Sequence, residues 1–187
     1  MWFKAGLLLA IVILFLFAGC ATRYYPEPSE HVKVSDDFAV MQIGGISIAI
    51  QSKLWAREPH KVNDYFTTYY IIVINSSNER ITISPDDLKL LDEERSQYDV
   101  LSYIKVAEVL LRDEFVMDKF SPFQDRSHQA TDERVMARAY LMQDSFHYGE
   151  IMPNARKTGY IFFNRLSPKN ERATIIFKNK EINFVRR

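Results

Sequence analysis

The chain changes its hydrophobic period twice. Apolar and polar side chains alternate over short stretches from Phe38, apolar positions recur at three and four between residues 102 and 148, and alternation returns from Gly159 to Val185. A strand sends successive side chains to opposite faces, whereas a helix gathers positions three and four apart onto one face. Such a sequence predicts β layers with one helical block set into them. In the first β region Phe38, Val40 and Ile43 share a side, Gly44-Gly45 forms a bend, and Ile46, Ile48 and Ile50 continue toward Leu54 and Trp55, which is a hairpin pattern. Residues 65–74 are apolar or β-branched almost throughout and read as a central strand, closed by the polar reversal Asn75-Ser76-Ser77-Asn78 before Ile81-Thr82-Ile83. Leu88 and Leu90 mark a further strand, with Tyr98 beyond the acidic turn Asp92-Glu93-Glu94.

The helical block divides in two. Ile104, Ala107, Leu111 and Phe115 form the predicted stripe of a helix over 102–117, and Pro122 closes that region. A second helix is expected over 132–148, capped by Thr131, with Asp132 and Glu133 in its first turn, a stripe of Val135, Ala139, Met142 and Phe146, and Gly149 and Pro153 as its stop. Three late strands follow around Tyr160, Ile175 and Phe184, with Asn179-Lys180 as the bend between the last two. Each sheet has a greasy face that only another layer can cover, so these short strands predict a mainly β, antiparallel β-sandwich with an inserted two-helix block at 102–148. The insertion is expected across one end or edge, where it would shield an open strand.

Ahead of this lies Lys4, an apolar run over 5–18, and then Gly19-Cys20, the layout of an export signal ending in small residues. The run is short for a membrane span. Its close resembles the lipoprotein signal family, in which a small pair before a cysteine is cut and the thiol is acylated. Here Ala18, Gly19 and Cys20 match, while Phe17 stands where that family usually has an aliphatic residue. The resemblance implies a signal peptide at 1–19 and a membrane anchor through lipid on Cys20. Because Ala21 and not aspartate follows, it implies the cell envelope, at an outer membrane facing the periplasm. Cys20 is the sole cysteine, so no disulfide forms within the chain. Pro26 and Pro28 among small and charged residues mark 20–34 as the lipidated N-terminus and a flexible tether, leaving 35–187 as a single domain.

The stretch Tyr69-Tyr70-Ile71-Ile72-Val73-Ile74-Asn75-Ser76-Ser77, the later Ser84-Pro85-Asp86-Asp87 turn with Leu88 to Asp92 behind it, and Lys157-Thr158-Gly159-Tyr160-Ile161-Phe162-Phe163 together resemble the immunoglobulin-like, telokin-like accessory domains of bacterial secreted and lipid-anchored proteins. That resemblance implies an immunoglobulin-like sandwich. Two features depart from it: the helical block replaces a short connection, and Asn154-Ala155 replaces a glycine-centred turn.

Nothing in the sequence assembles a reaction centre. His31, His60, His128 and His147 are scattered without metal-ligand spacing, and neither a glycine-rich phosphate loop nor a nucleophile elbow is present. Ser84 with Asp86 and Asp87 reads as a turn, and the acidic runs lack the alternating oxygen spacing of a calcium loop. With 24 basic and 24 acidic residues, the chain has no long positive field for nucleic acid. The expectation is a noncatalytic envelope protein, with no metal or cofactor, that holds or recognises another envelope protein. Arg134 and Arg138 are its candidate docking residues. The alternative is a carrier or sensor of a small apolar or glycan ligand, lodged between the insertion and the sheet.

Overall fold

The computed structural model describes the backbone of residues 23–118 and 127–187 and the side chains of residues 23–110 and 135–187. The fold is mainly β, with three sheets and two long helices. In the first sheet the order is β1 (Tyr24–Pro26), β12 (Lys180–Arg186), β11 (Arg172–Phe177), β7 (Leu88–Leu91) and β8 (Gln97–Asp99). The second runs β10 (Arg156–Asn164), β5 (Phe66–Asn75), β4 (Ile46–Ser52), β3 (Phe38–Ile43) and β2 (Val32–Ser35). A two-stranded sheet pairs β6 (Ile81–Ile83) with β9 (Gly149–Ile151). Among the described residues every strand ladder is antiparallel, and a single parallel bridge joins Ser145 to Tyr160.

Alternation explains the core. Ile48, Ile50, Tyr69, Ile71 and Val73 from the second sheet meet Leu88, Leu90, Ile175, Phe177 and Phe184 from the first, with Ile83 and Ile151 at one end. The hairpin between β3 and β4 turns through Gly44 and Gly45, at φ of 51° and 81°, which matches the two-residue turn that follows strand twist. The same positive φ occurs at Asp36-Asp37 and at Lys178-Asn179, so the last bend lies one residue earlier than the sequence suggested. Asp and Asn tolerate that region better than branched side chains do.

The N-terminal segment is not a free tether from Tyr24 onward. β1 pairs with β12 and β2 with β3, and the Tyr24 and Val32 side chains are buried. The Tyr24 N–H donates to Ser52 Oγ at 3.3 Å and its hydroxyl donates to the Asn170 carbonyl at 3.0 Å. Pro26, the residue that suggested a tether, sits on an edge strand, where its missing N–H breaks no central ladder.

The helices α2 (Tyr103–Asp118) and α3 (Ser127–Asp144) follow a single-turn helix α1 (Val62–Tyr65) in the chain and cover the outward face of the second sheet. In α2 the packed residues are Val106, Ala107 and Leu110, while Ile104 is exposed; the side chains of Leu111 and Phe115 lie outside the described residues. α3 begins at Ser127, so Thr131 is interior to it, and it ends at Asp144, ahead of Phe146. Its packed face is Leu141 with Tyr140, and Val135, Ala139 and Met142 face solvent instead. β10 is therefore buried on both sides, with Ile161 and Phe163 toward the first sheet and Tyr160 and Phe162 toward the helices. The ends of the helical block also close its free edge: the Leu101 N–H donates to the Phe162 carbonyl and the Phe146 N–H to the Tyr160 carbonyl, both at 2.8 Å. Gly159 permits this approach, since a Cβ there would stand 2.4 Å from the Phe146 nitrogen.

Candidate functional site

Where α3 ends against β10, a half-open cavity of about 330 Å³ lies between the insertion and the second sheet. Trp55, Tyr70 and Tyr160 supply its aromatic wall, and Lys53, Arg57 and Asp144 supply its charge. The chain reaches it by simple steps. β4 ends at Ser52, and the Lys53 backbone stays tied to β5, its N–H donating to the Thr68 carbonyl at 3.3 Å and its carbonyl accepting from Thr68 Oγ1 at 2.6 Å. Trp55 is then clamped by Asn63, next to Val62 on α1. The Trp55 N–H donates to Asn63 Oδ1 at 2.9 Å, and Asn63 Nδ2 donates to the Trp55 carbonyl at 2.8 Å.

The rings are mutually braced. Trp55 meets Tyr160 edge-on at 5.1 Å, and Tyr70 meets Tyr160 edge-on at 5.3 Å. The Tyr160 hydroxyl donates to the Leu54 carbonyl at 3.3 Å, and burial, assisted by the nearby Asp144 charge, pushes its pKa up. The Lys53 ammonium lies 4.8 Å from the Tyr70 ring centre and 5.9 Å from that of Tyr160. Arg57 pairs with Asp144 at 3.1 Å and stacks over Tyr140 on α3 at 5.3 Å. Trp55 Nε1 is buried without a hydrogen-bond partner among the described residues. The cavity thus combines aromatic faces, one carboxylate and two cations, an arrangement suited to binding a polar ligand.

The residues singled out in the sequence lie elsewhere. Ala18, Gly19 and Cys20 fall outside the described residues, as does the side chain of Arg134. Arg138 is exposed on the outward face of α3 with Val135, Ala139 and Met142, and is not part of the cavity. His31 and His60 lie beside Glu30 and Glu58 at the surface, and the His147 carbonyl accepts from Lys157 Nζ at 3.1 Å; the side chain of His128 is outside the described residues. Among the described residues no three His, Cys, Asp or Glu side chains group as metal ligands. Ser84 belongs to a turn in which Asp87 accepts from the Ser84 N–H at 2.7 Å. Tyr70 was legible as one of two tyrosines on opposite strand faces. Lys53, Arg57 and Asp144 carried no motif, because the first two lie in the loop after β4 and the third at the end of α3, and only the fold joins them.

No family model matches the sequence, and no curated protein matches it. Among solved structures, a functionally unknown protein from Listeria monocytogenes EGD-e is 10% identical over 83% of this chain and 69% of that one, with a TM-score of 0.34. A likeness that distant carries neither a fold nor a function.

Proposed function

We propose that the protein is a noncatalytic lipoprotein of the cell envelope, anchored through Cys20 to the outer membrane and facing the periplasm, whose immunoglobulin-like sandwich presents the helical insertion to another envelope protein. The sandwich reading is supported by the shared core of the two five-stranded sheets, where Tyr69 and Phe184 meet at 5.1 Å. The observation that carries the docking reading is the outward face of α3. Val135, Arg138, Ala139 and Met142 fall on one side at helical spacing, away from the packed side of Ala137, Tyr140 and Asp144, with Val135 61% and Met142 49% exposed. An apolar row with a cation in it fits a partner that offers an apolar ridge flanked by carboxylates.

Two measurements test this. Cys20→Ala should abolish acylation and leave precursor in the membrane fraction; normal processing of that variant removes the anchor. Val135→Asp with Met142→Asp should lower crosslinked recovery of the partner from intact envelopes by about 2 kcal/mol or more in binding, with the melting transition unchanged. Undiminished recovery removes the docking face. A second reading, a small-ligand carrier or sensor, is favoured by the cavity at the end of α3.

A further inference from the structure

We propose that the cavity between α3 and β10 binds a sugar ring carrying a single carboxylate, with Lys53 reading the carboxylate and Tyr70 packing against the ring. This rests on the second, small-ligand reading and is independent of the anchor and of the α3 docking face.

Three features of the cavity select this chemistry together. First, Lys53 is the cation left without a carboxylate: Arg57 is held by Asp144 and by the face of Tyr140, whereas no acidic side chain pairs with Lys53 among the described residues. Its ammonium is instead held over two tyrosine rings, where an incoming anion meets a positioned charge at the cavity mouth. Second, Asp144 is one-quarter exposed in the same cavity, and although its charge is balanced by Arg57 its carboxylate oxygens keep lone pairs that can accept hydrogen bonds from hydroxyls. Gln143 and Thr158, both exposed at the rim, add donors and acceptors of the same kind. Third, the half-buried Tyr70 ring supplies flat apolar surface for the C–H face of a sugar, and its position is fixed in advance by the edge-on contact with buried Tyr160, which Trp55 and its Asn63 clamp brace from behind. A cation for one anion, a carboxylate for hydroxyls and one aromatic face for C–H groups describe an acidic monosaccharide better than a fatty, purely anionic or neutral ligand. The volume, about 330 Å³, suits one small molecule.

The sequence provides its own reporter. The chain has two tryptophans, Trp2 and Trp55, so Trp2→Phe in the full chain leaves the cavity indole as the sole tryptophan. The protein is kept in a polyoxyethylene detergent, which contains no sugar. Its emission is titrated with glucuronate, glucose and acetate, with Lys53→Gln and Lys53→Arg made in the same background. Glucuronate should change Trp55 emission saturably and bind about tenfold or more tighter than glucose or acetate. Lys53→Gln should erase that preference while glucose binding and the melting transition stay as they were, and Lys53→Arg should restore most of it. Equal binding of glucose and glucuronate overturns the carboxylate assignment, and equal binding of acetate overturns the sugar. No saturable response to glucuronate, or full glucuronate affinity in Lys53→Gln, overturns the site. None of these outcomes touches the anchor, which Cys20→Ala tests separately.

Discussion

Tyr69 fills the space between the two large sheets, its ring edge-on to Phe184 at 5.1 Å and to Phe163 at 6.2 Å, yet its hydroxyl is buried without a hydrogen-bond partner among the described residues. Burial pushes its pKa well above the usual tyrosine value, and does the same at Tyr148. The neutral phenol is thus favoured in the folded chain, whereas the unfolded chain ionises near pH 10. Above about pH 10 the unfolded state binds fewer protons than the folded one, so stability is fully present below that pH and falls as pH rises beyond it. Tyr69→Phe keeps the ring and removes the unsatisfied hydroxyl. It should leave stability at neutral pH unchanged or raise it, by roughly 1 to 3 kcal/mol at most, and should flatten the alkaline fall, leaving the parts due to Tyr148, Tyr160, Tyr24 and Tyr98, whose pKa values are also raised. A melting series from pH 7 to 11 checks both, and a clear loss at neutral pH would show that the hydroxyl is satisfied. That Tyr69 and Tyr70 point to opposite faces was legible from strand alternation. Which one enters the core was not, because β5 is covered on both sides, by the first sheet and by the helices.

At the scale of the element, α3 shows how a correct period yields the wrong face. Its sequence carries two rows at helical spacing: Val135, Ala139 and Met142, which are exposed, and Ala137, Tyr140, Leu141 and Asp144, which turn toward the protein. The first row is the more apolar, so hydropathy favours it. The second is the packed one because Tyr140 lies under Arg57 and Asp144 pairs with that same arginine, contacts made to residues some eighty positions earlier. The opposite misreading affected β1, where two prolines outweighed an aromatic residue. Tyr24 has a buried ring and hydrogen bonds to Ser52 and Asn170, so β1 is an edge strand of the core and not a spacer. Tyr24→Ala should cost roughly 3 to 5 kcal/mol, as for other buried aromatic truncations, and lower the melting temperature accordingly. A transition within a degree of wild type would restore the tether. The hairpin of β3 with β4 was legible in its bend, where a glycine pair divides two alternating arms, but not in its face: Ala39 and Met41 are the buried residues, opposite Ile50 and Ile48, and Phe38 and Val40 lie on the other side from Ile43.

Over the whole molecule the helical block does more than fill a connection. It is the third layer, lying on a sheet whose other face already packs into the main core, and it closes that sheet's β10 edge through the carbonyls of Tyr160 and Phe162. It also forms one wall of the cavity, through Gln143 and Asp144. Loop entropy rises slowly with inserted length, so an ordered insertion of this size is tolerated easily once it buries its own apolar face. Removing it is a different matter. Replacing residues 102–144 by a short glycine-containing link should uncover Trp55, Phe66, Tyr160 and Phe162, an apolar patch that invites association between chains, while Leu101 and Phe146, whose N–H groups hold the β10 edge, remain. The main core, drawn from both large sheets, contains Phe146 but no described residue of the deleted span, so β-sheet circular dichroism should persist. Light scattering should report association that grows with concentration, and Trp55 emission should shift to the red as its cover is lost. A truncated chain that stays monomeric, with unchanged emission and melting, would mean that the helices do not cover the aromatic face, and that their place on the sheet contributes nothing to holding the fold apart from its own copies.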